Sequence, residues 1–179
     1  ILRRDGFEDV KLLIIGDEVS KYPNLRRLVH RFQLHQHVRF LGFVPDATLA
    51  VLYRLAAVFV FPSLFEGFGI PPLEAMACGC PVVASRATAV PEVVGDAARL
   101  VDPHSADDIA DGMHAVLTQP ELRDALRVRG ARRVEQFTWE PGYVTNYENI
   151  LFDRDRHFTA SYMETLLMTE TGIEVLSTV

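Results

Sequence analysis

Short apolar runs alternate along this chain with stretches whose apolar residues recur at helical spacing. Lys11–Ile15 has the pattern of a buried strand and ends at Gly16. The stretch that follows has one apolar stripe with the spacing i, i+3, i+4, i+7, formed by Leu25, Leu28, Val29 and Phe32. This alternation is typical of a parallel sheet whose strands are joined by crossover helices. We therefore predict an α/β domain with a Rossmann-like parallel sheet and flanking helices.

The same patterns predict five strands, at Lys11–Ile15, Val38–Leu41, Val58–Phe61, Val82–Ala84 and Ala98–Val101. Asp46 is expected to cap a helix between the second and third strands. The apolar side of that helix has four members, which are Leu49, Leu52, Tyr53 and Ala56. After the third strand, Pro71 or Pro72 suits the first position of another helix. This helix should end near Cys78, with Gly79 in the left-handed conformation.

The second half of the chain is richer in helical patterns. These are predicted at Pro91–Val94, Ser105–Leu117, Glu121–Val134 and Glu140–Phe152. The pattern then weakens, so residues 1–156 are assigned to one domain and residues 157–179 form an unassigned C-terminal tail. A length of 179 residues with 49% hydrophobic content suits this division.

Charge and cysteine content exclude several classes of function. The net charge is −6 and the basic residues are scattered, so no nucleic-acid partner is expected. Cys78 and Cys80 are too close for a disulfide and too few for a zinc site, and both are expected to be small buried residues. His35 and His37 do not form a metal-ligand pair.

With no apolar run of roughly 18 residues, no membrane span is expected, and we predict a cytoplasmic protein.

The turn after the third predicted strand has the features of an anion site. In a doubly wound sheet, ligands bind beyond the carboxyl ends of the strands. Gly67 and Gly69 remove side chains there and tolerate backbone angles that turn N–H groups outward. The positive end of the next helix lies directly behind them. Since Pro71 and Pro72 have no N–H, the donors to a diphosphate are expected from Phe68, Gly69 and Ile70.

Two glutamates flank this turn. Seven residues separate Glu66 on the loop from Glu74 in the helix, so both can face one crevice. A carboxylate has two acceptor oxygens, which match a pair of vicinal hydroxyls such as those of a ribose. We assign Glu74 to the ribose, and Glu66 to the transferred sugar, where negative charge stabilises an oxocarbenium-like centre. Two simpler interpretations stay open, namely a helix-dipole role for Glu74 and a loop salt bridge for Glu66.

The run from Phe61 to Ser85 reads FPSLFEGFGIPPLEAMACGCPVVAS. It closely resembles the signature of family 4 (group 1) of the retaining glycosyltransferases, in which seven residues also separate two glutamates. Secondary matches surround it, at Leu13–Gly16, Val38–Gly42, Pro91–Asp96 and Phe137–Trp139. The similarity spans roughly Val10 to Phe152, and it implies the C-terminal half of a GT-B fold.

This resemblance implies a role for each matching segment. Glu74 would hold the ribose, and Glu66 would contact the donor sugar near the reacting carbon as the catalytic residue. The diphosphate and donor sugar would bind to four residues of the turn, Gly67, Phe68, Gly69 and Ile70. The segment Val38–Val44 would border the base.

The resemblance also implies a reaction, the transfer of a hexose, mannose or glucose, from a GDP- or UDP-linked donor to an acceptor hydroxyl. The products would be polysaccharides or glycoconjugates. No metal or other cofactor is implied, because cationic side chains and the helix dipole neutralise the diphosphate in this fold. The first strand of the domain and the N-terminal acceptor-binding domain are expected to lie outside this sequence, so the chain alone should be inactive. That N-terminal half would bring the enzyme to the cytoplasmic face of the membrane.

Other functions compete with this interpretation. The chain could be a non-catalytic module that binds sugar nucleotides, or a sugar-nucleotide epimerase of the same fold. A dehydrogenase-type dinucleotide site is disfavoured, because Pro72 stands where the third glycine of that fingerprint belongs. Asp153-Arg154-Asp155 resembles a two-aspartate metal motif, but its place at the end of a helical pattern favours a solvated helix end.

Overall fold

The computed structural model describes residues 6–7, 9–16, 23–137, 164–169 and 172–176. Its helices and strands follow one another in the order β1 (Lys11–Ile15), α1 (Pro23–Arg31), β2 (Val38–Gly42), α2 (Asp46–Leu55), β3 (Phe59–Phe61), α3 (Ile70–Ala77), β4 (Val82–Ser85), α4 (Val90–Val94), β5 (Ala98–Val101), α5 (Ala106–Thr118), α6 (Pro120–Glu135), β6 (Glu164–Thr169) and β7 (Gly172–Leu176). The predicted helix at Glu140–Phe152 and the Asp153–Asp155 segment lie outside the described residues.

The strands form one sheet with the order β2-β1-β6-β7-β3-β4-β5. Strands β1 and β2 are parallel, as are β3, β4 and β5, and β7 is parallel to both β1 and β3. The five predicted strands therefore point the same way, which confirms the α/β fold class. Their carboxyl ends lie at one edge of the sheet, where the loops after β3 and β4 begin.

The unassigned tail contributes the hairpin β6–β7, which lies between β1 and β3. Strand β6 is antiparallel to β1 and β7, so the sheet is mixed. The local pattern of residues 157–179 did not indicate these strands. Strand pairing depends on neighbours that are distant in sequence, so it is weakly encoded in local residue preference.

The centre of the sheet is covered on both faces. Phe59 and Phe61 face a core shared with α2, α3 and α4, while Val58 and Val60 face a second core shared with α5. This division follows from the alternation of side chains along a strand. Because β3 and β4 are buried along their whole length, they read as continuous apolar runs and hold the loops at their ends on a rigid base.

The end of α3 follows the prediction. Gly79 has a φ of 78°, and its N–H donates to the carbonyl of Met76 at 2.9 Å. The N–H of Cys80 donates to the carbonyl of Ala75, also at 2.9 Å. This pair of bonds is the Schellman motif, which satisfies the last carbonyls of a helix and requires a residue that tolerates positive φ.

The predicted cap at Asp46 is wrong. Helix α2 begins at Asp46, and its N-cap is Pro45, which has an extended conformation with φ −62° and ψ 149°. Proline fixes its own φ, so the chain enters the helix directly after Pro45. The N–H groups of Thr48 and Leu49 donate to the Pro45 carbonyl. Asp46 lies in the first turn instead, where the helix dipole favours its negative charge.

The apolar stripe predicted for α1 is only half buried. Val29 joins a small core with Ile14 and Val38, but Leu28 and Phe32 are 45% and 57% exposed. Phe32 lies beyond the last residue of α1, so it is not part of the apolar face of this helix.

The two cysteines also differ in exposure, because Cys80 is buried whereas Cys78 is only partly so. The prediction of two buried cysteines is therefore wrong for Cys78, which lies at the C-cap of α3.

Helix α5 packs so closely on the sheet that Gly112 has no room for a side chain. An added Cβ would lie 2.6 Å from Cγ1 of Val101 and 3.2 Å from Cγ1 of Val83. Alanine in a helix normally gains about 1 kcal/mol over glycine. We expect Gly112→Ala to destabilise the protein instead, by about 1–3 kcal/mol, because both valines are buried and stiff.

Denaturant unfolding of Gly112→Ala measures this effect. Gly67→Ala is the matched control, since nothing lies within 4 Å of the added Cβ and a change within about 0.5 kcal/mol is expected there. A stabilised Gly112→Ala variant would contradict the close packing.

Candidate functional site

The loop from Pro62 to Gly69 leaves the carboxyl end of β3 and leads directly into α3. Gly69 is the N-cap of α3, with φ 94° and ψ 60°, and it has no side chain to accept from the first-turn N–H groups. Those N–H groups have no partner within the helix. The N-terminus of α3 thus has no side-chain cap, and it lies at the edge of the sheet where ligands of this fold class bind.

Phe68 packs against Phe137, which in turn contacts Arg133. The ring of Phe137 meets that of Phe68 edge to face, with centroids 5.8 Å apart. The guanidinium of Arg133 lies 4.9 Å from the Phe137 ring centroid, and its Nε donates to the carbonyl of Val93 at 2.8 Å. The end of α6 and the residues just after it therefore connect the loop after β3 to the end of α4.

Glu66 is half-buried and has two hydrogen-bonded neighbours. The Ser63 hydroxyl lies 3.1 Å from Oε1 of Glu66 and donates to it, and the Glu66 N–H donates to Oγ1 of Thr88 at 3.0 Å. Among the described residues Glu66 forms no ion pair, so they offer no support for the salt-bridge interpretation.

Sequence reasoning missed Thr88, which lies on the loop after β4. Its φ is 51°, a left-handed conformation that a β-branched residue rarely adopts. No signal in the sequence points to it, because a left-handed position is usually marked by glycine or asparagine. Ser63, 1% exposed, was also missed, although it stands within the motif.

Glu74 lies on α3, beyond its first turn. It is 1% exposed, and the first turn of α3 contains no acidic residue. The simpler interpretation of a first-turn glutamate stabilised by the helix dipole is therefore wrong. A ligand can reach this carboxylate only if the groups around it move apart.

The structure brings the other predicted residues together on one loop. Gly67, Phe68, Gly69 and Ile70 follow Glu66 directly and end at the start of α3. An added Cβ on Gly67 would meet nothing within 4 Å, whereas on Gly69 it would lie 3.5 Å from Cγ2 of Val90. Their roles toward a ligand stay predictions.

Residues 1–133 match the family model for glycosyl transferases, group 1. The match covers more than half of the chain. The chain belongs to the group 1 glycosyltransferases. The α/β fold agrees with the GT-B fold of related structures.

One curated relative is O-antigen chain mannosyltransferase B of Escherichia coli. It is 46% identical over 116 residues, which are 65% of this chain and 30% of the relative. Other curated relatives are likewise covered over about a third of their length or less. The chain therefore corresponds to a part of these transferases.

Two solved structures resemble the fold. The C-terminal domain of a group 1 family protein from Francisella tularensis has 33% identity and a TM-score of 0.58, over 66% of this chain and 63% of that one. Anabaena HepE, solved in complex with UDP and glucose, has 26% identity and a TM-score of 0.62, over 68% of this chain and 35% of that one.

Within the described part of the chain, no helix combines the length and apolar character needed to cross a bilayer. In the same residues, no three histidine, cysteine or acidic side chains come together as a candidate metal site.

Proposed function

We propose that this chain is the donor-binding half of a retaining hexosyltransferase that uses a nucleotide-diphospho-sugar. The observation that carries the proposal is the start of α3, where the left-handed Gly69 is the N-cap at the carboxyl edge of the sheet. Glu66 precedes this point by three residues and Glu74 follows it by five. An anion site with a carboxylate on either side suits a diphosphate joined to two sugars.

The proposed donor is a hexose linked to GDP or UDP. The name of the Escherichia coli relative supports mannose, and the complex of Anabaena HepE with UDP and glucose supports a UDP-linked glucose. The resemblance to a C-terminal domain supports the assignment to one half of a larger enzyme. The acceptor would bind to the other half.

In this proposal the α3 N-terminus and the N–H groups of residues 68–70 bind the diphosphate, because the helix dipole favours negative charge there. Glu74 accepts the two ribose hydroxyls after its surroundings open. Glu66 lies beside the hexose, where its negative charge stabilises the positive charge that develops on the anomeric carbon. The bond from that carbon to the diphosphate oxygen breaks, and its electron pair leaves with the diphosphate. The acceptor oxygen bonds to the carbon on the same face, and its hydroxyl proton passes to the departing diphosphate.

A thermal-shift series with GDP, UDP and ADP tests the proposal. A ligand that binds only the folded state stabilises it by about 1.4 kcal/mol when its concentration is ten times Kd. For a chain of this size, that raises Tm by roughly 3–6 °C. We expect this shift with at least one diphosphate and none with the matching nucleoside, because the cradle binds phosphate. An unchanged Tm with all three diphosphates would refute donor binding.

A further inference from the structure

We propose that Ser63 and Thr88 are positioning residues that hold Glu66 in place for the donor sugar. This inference rests on the proposed function, and it adds a role for two residues outside the glutamate pair and the glycine turn. Ser63 fixes the carboxylate, and Thr88 fixes the backbone from which that carboxylate extends.

The Ser63 hydroxyl has two acceptors within reach. Its Oγ lies 3.1 Å from Glu66 Oε1 and 3.2 Å from the carbonyl oxygen of Phe65. One hydroxyl has a single proton, and a charged carboxylate is the stronger acceptor. The bond to Glu66 therefore dominates, and it leaves Oε2 of that carboxylate for a ligand.

Burial makes the Ser63 bond effective. Ser63 is 1% exposed, so bulk water does not compete for the hydrogen bond that its hydroxyl donates. Only Pro62 separates Ser63 from the rigid strand β3. Glu66 itself is only half-buried and stands on a loop, where a glutamate side chain normally samples several rotamers. The bond restricts that freedom before the ligand arrives, which reduces the entropy lost on binding.

Thr88 acts on the backbone from the neighbouring loop. Twenty-two residues separate it from Glu66, and its Oγ1 accepts the Glu66 N–H at 3.0 Å. Its φ of 51° costs roughly 1–3 kcal/mol, and such strain persists only where the surroundings require it. This conformation presents the hydroxyl to the loop after β3, so the loops after β3 and β4 are joined at Glu66.

The test compares two ligands that differ only in the sugar. We measure by calorimetry the Kd of the 179-residue chain for GDP-mannose and for GDP, and for UDP-glucose and UDP in parallel. Glu66 is proposed to contact the hexose alone. Ser63→Ala should therefore weaken binding of the sugar nucleotide by roughly three- to tenfold and leave the diphosphate within about twofold.

Two further variants separate positioning from general stability. Thr88→Val keeps the shape and the backbone strain but removes the acceptor, whereas Thr88→Ser keeps the hydroxyl. We expect the sugar-nucleotide loss in Thr88→Val only, together with faster hydrogen exchange of the Glu66 amide. In a Glu66→Ala background, Ser63→Ala should have no additional effect, because the group through which it acts is gone.

The possible failures are distinct. If the wild-type chain binds none of the four ligands, the proposed function is wrong, and the inference fails with it. If the wild type binds but Ser63→Ala weakens both members of a pair equally, or acts additively with Glu66→Ala, Ser63 is a structural residue and only the inference fails. Circular dichroism and Tm of each variant establish that it is folded.

Discussion

Gly69→Val should abolish binding of nucleoside diphosphates while the domain stays folded. Gly69 is the N-cap of α3 and has a φ of 94°. Valine disfavours this conformation, so the turn that presents the N–H groups of residues 68–70 should shift. The fold itself can accept a Cβ, since its nearest neighbours would be Cγ2 of Val90 at 3.5 Å and Cε1 of Phe61 at 3.8 Å. The substitution should therefore remove the ligand site more than the packing.

The effect of backbone strain in Gly69→Val has to be separated from the loss of the ligand site. A valine held at positive φ costs at least about 1–2 kcal/mol, and that cost would lower Tm without any effect on a ligand. Gly79 offers a matched control, because it has a φ of 78° with nothing within 4 Å of an added Cβ. It stands at the opposite end of the same helix.

The comparison of Gly69→Val with Gly79→Val is decisive. We expect both variants to lose stability, and we expect only Gly69→Val to lose the thermal shift and the calorimetric signal with GDP or UDP. A Gly69→Val variant that retains its affinity would place the cradle elsewhere. Equal loss of binding in both variants would indicate a general effect of the strained helix.

The two glutamates should respond differently to the same conservative substitution. Glu74→Gln is expected to weaken GDP or UDP binding by roughly ten- to a hundredfold, the loss typical of a hydrogen bond to a charged group. Glu66→Gln should leave that affinity nearly unchanged. In this proposal Glu74 contacts the ribose, whereas Glu66 contacts only the transferred hexose.

Calorimetry with the diphosphate and with the sugar nucleotide measures both effects. Glu66→Gln should weaken only the sugar nucleotide, and Glu74→Gln should weaken both ligands. Glutamine keeps the shape of glutamate, so the two variants match in size. They differ in position and in burial, because Glu74 is 1% exposed whereas Glu66 is half-buried. Equal losses for the diphosphate, or the reverse order, would remove the two assignments.

Local sequence patterns were sufficient for most of the sheet and for the ends of several helices. The five strands predicted from apolar runs all form. The runs at β3 and β4 are continuous because these two strands are buried along their whole length. The stop of α3 at Gly79 was also predictable, since a left-handed position after a helix strongly favours glycine. The start of α2, by contrast, was not predicted correctly. Pro45 is the N-cap, whereas the acidic side chain had indicated Asp46.

The tertiary structure alone decided how distant segments meet. Strands β6 and β7 enter between β1 and β3 through pairings with residues about 100 or more positions away, and no local period encodes such a partner. The hydrogen bond from Glu66 to Thr88 depends on a left-handed threonine that its own side chain disfavours. The sequence by itself determined the α/β class, the glycine turn and the spacing of the two glutamates, because each depends on near neighbours. The surroundings of Glu66 and the burial of Glu74 depend on contacts that exist only after the chain has folded.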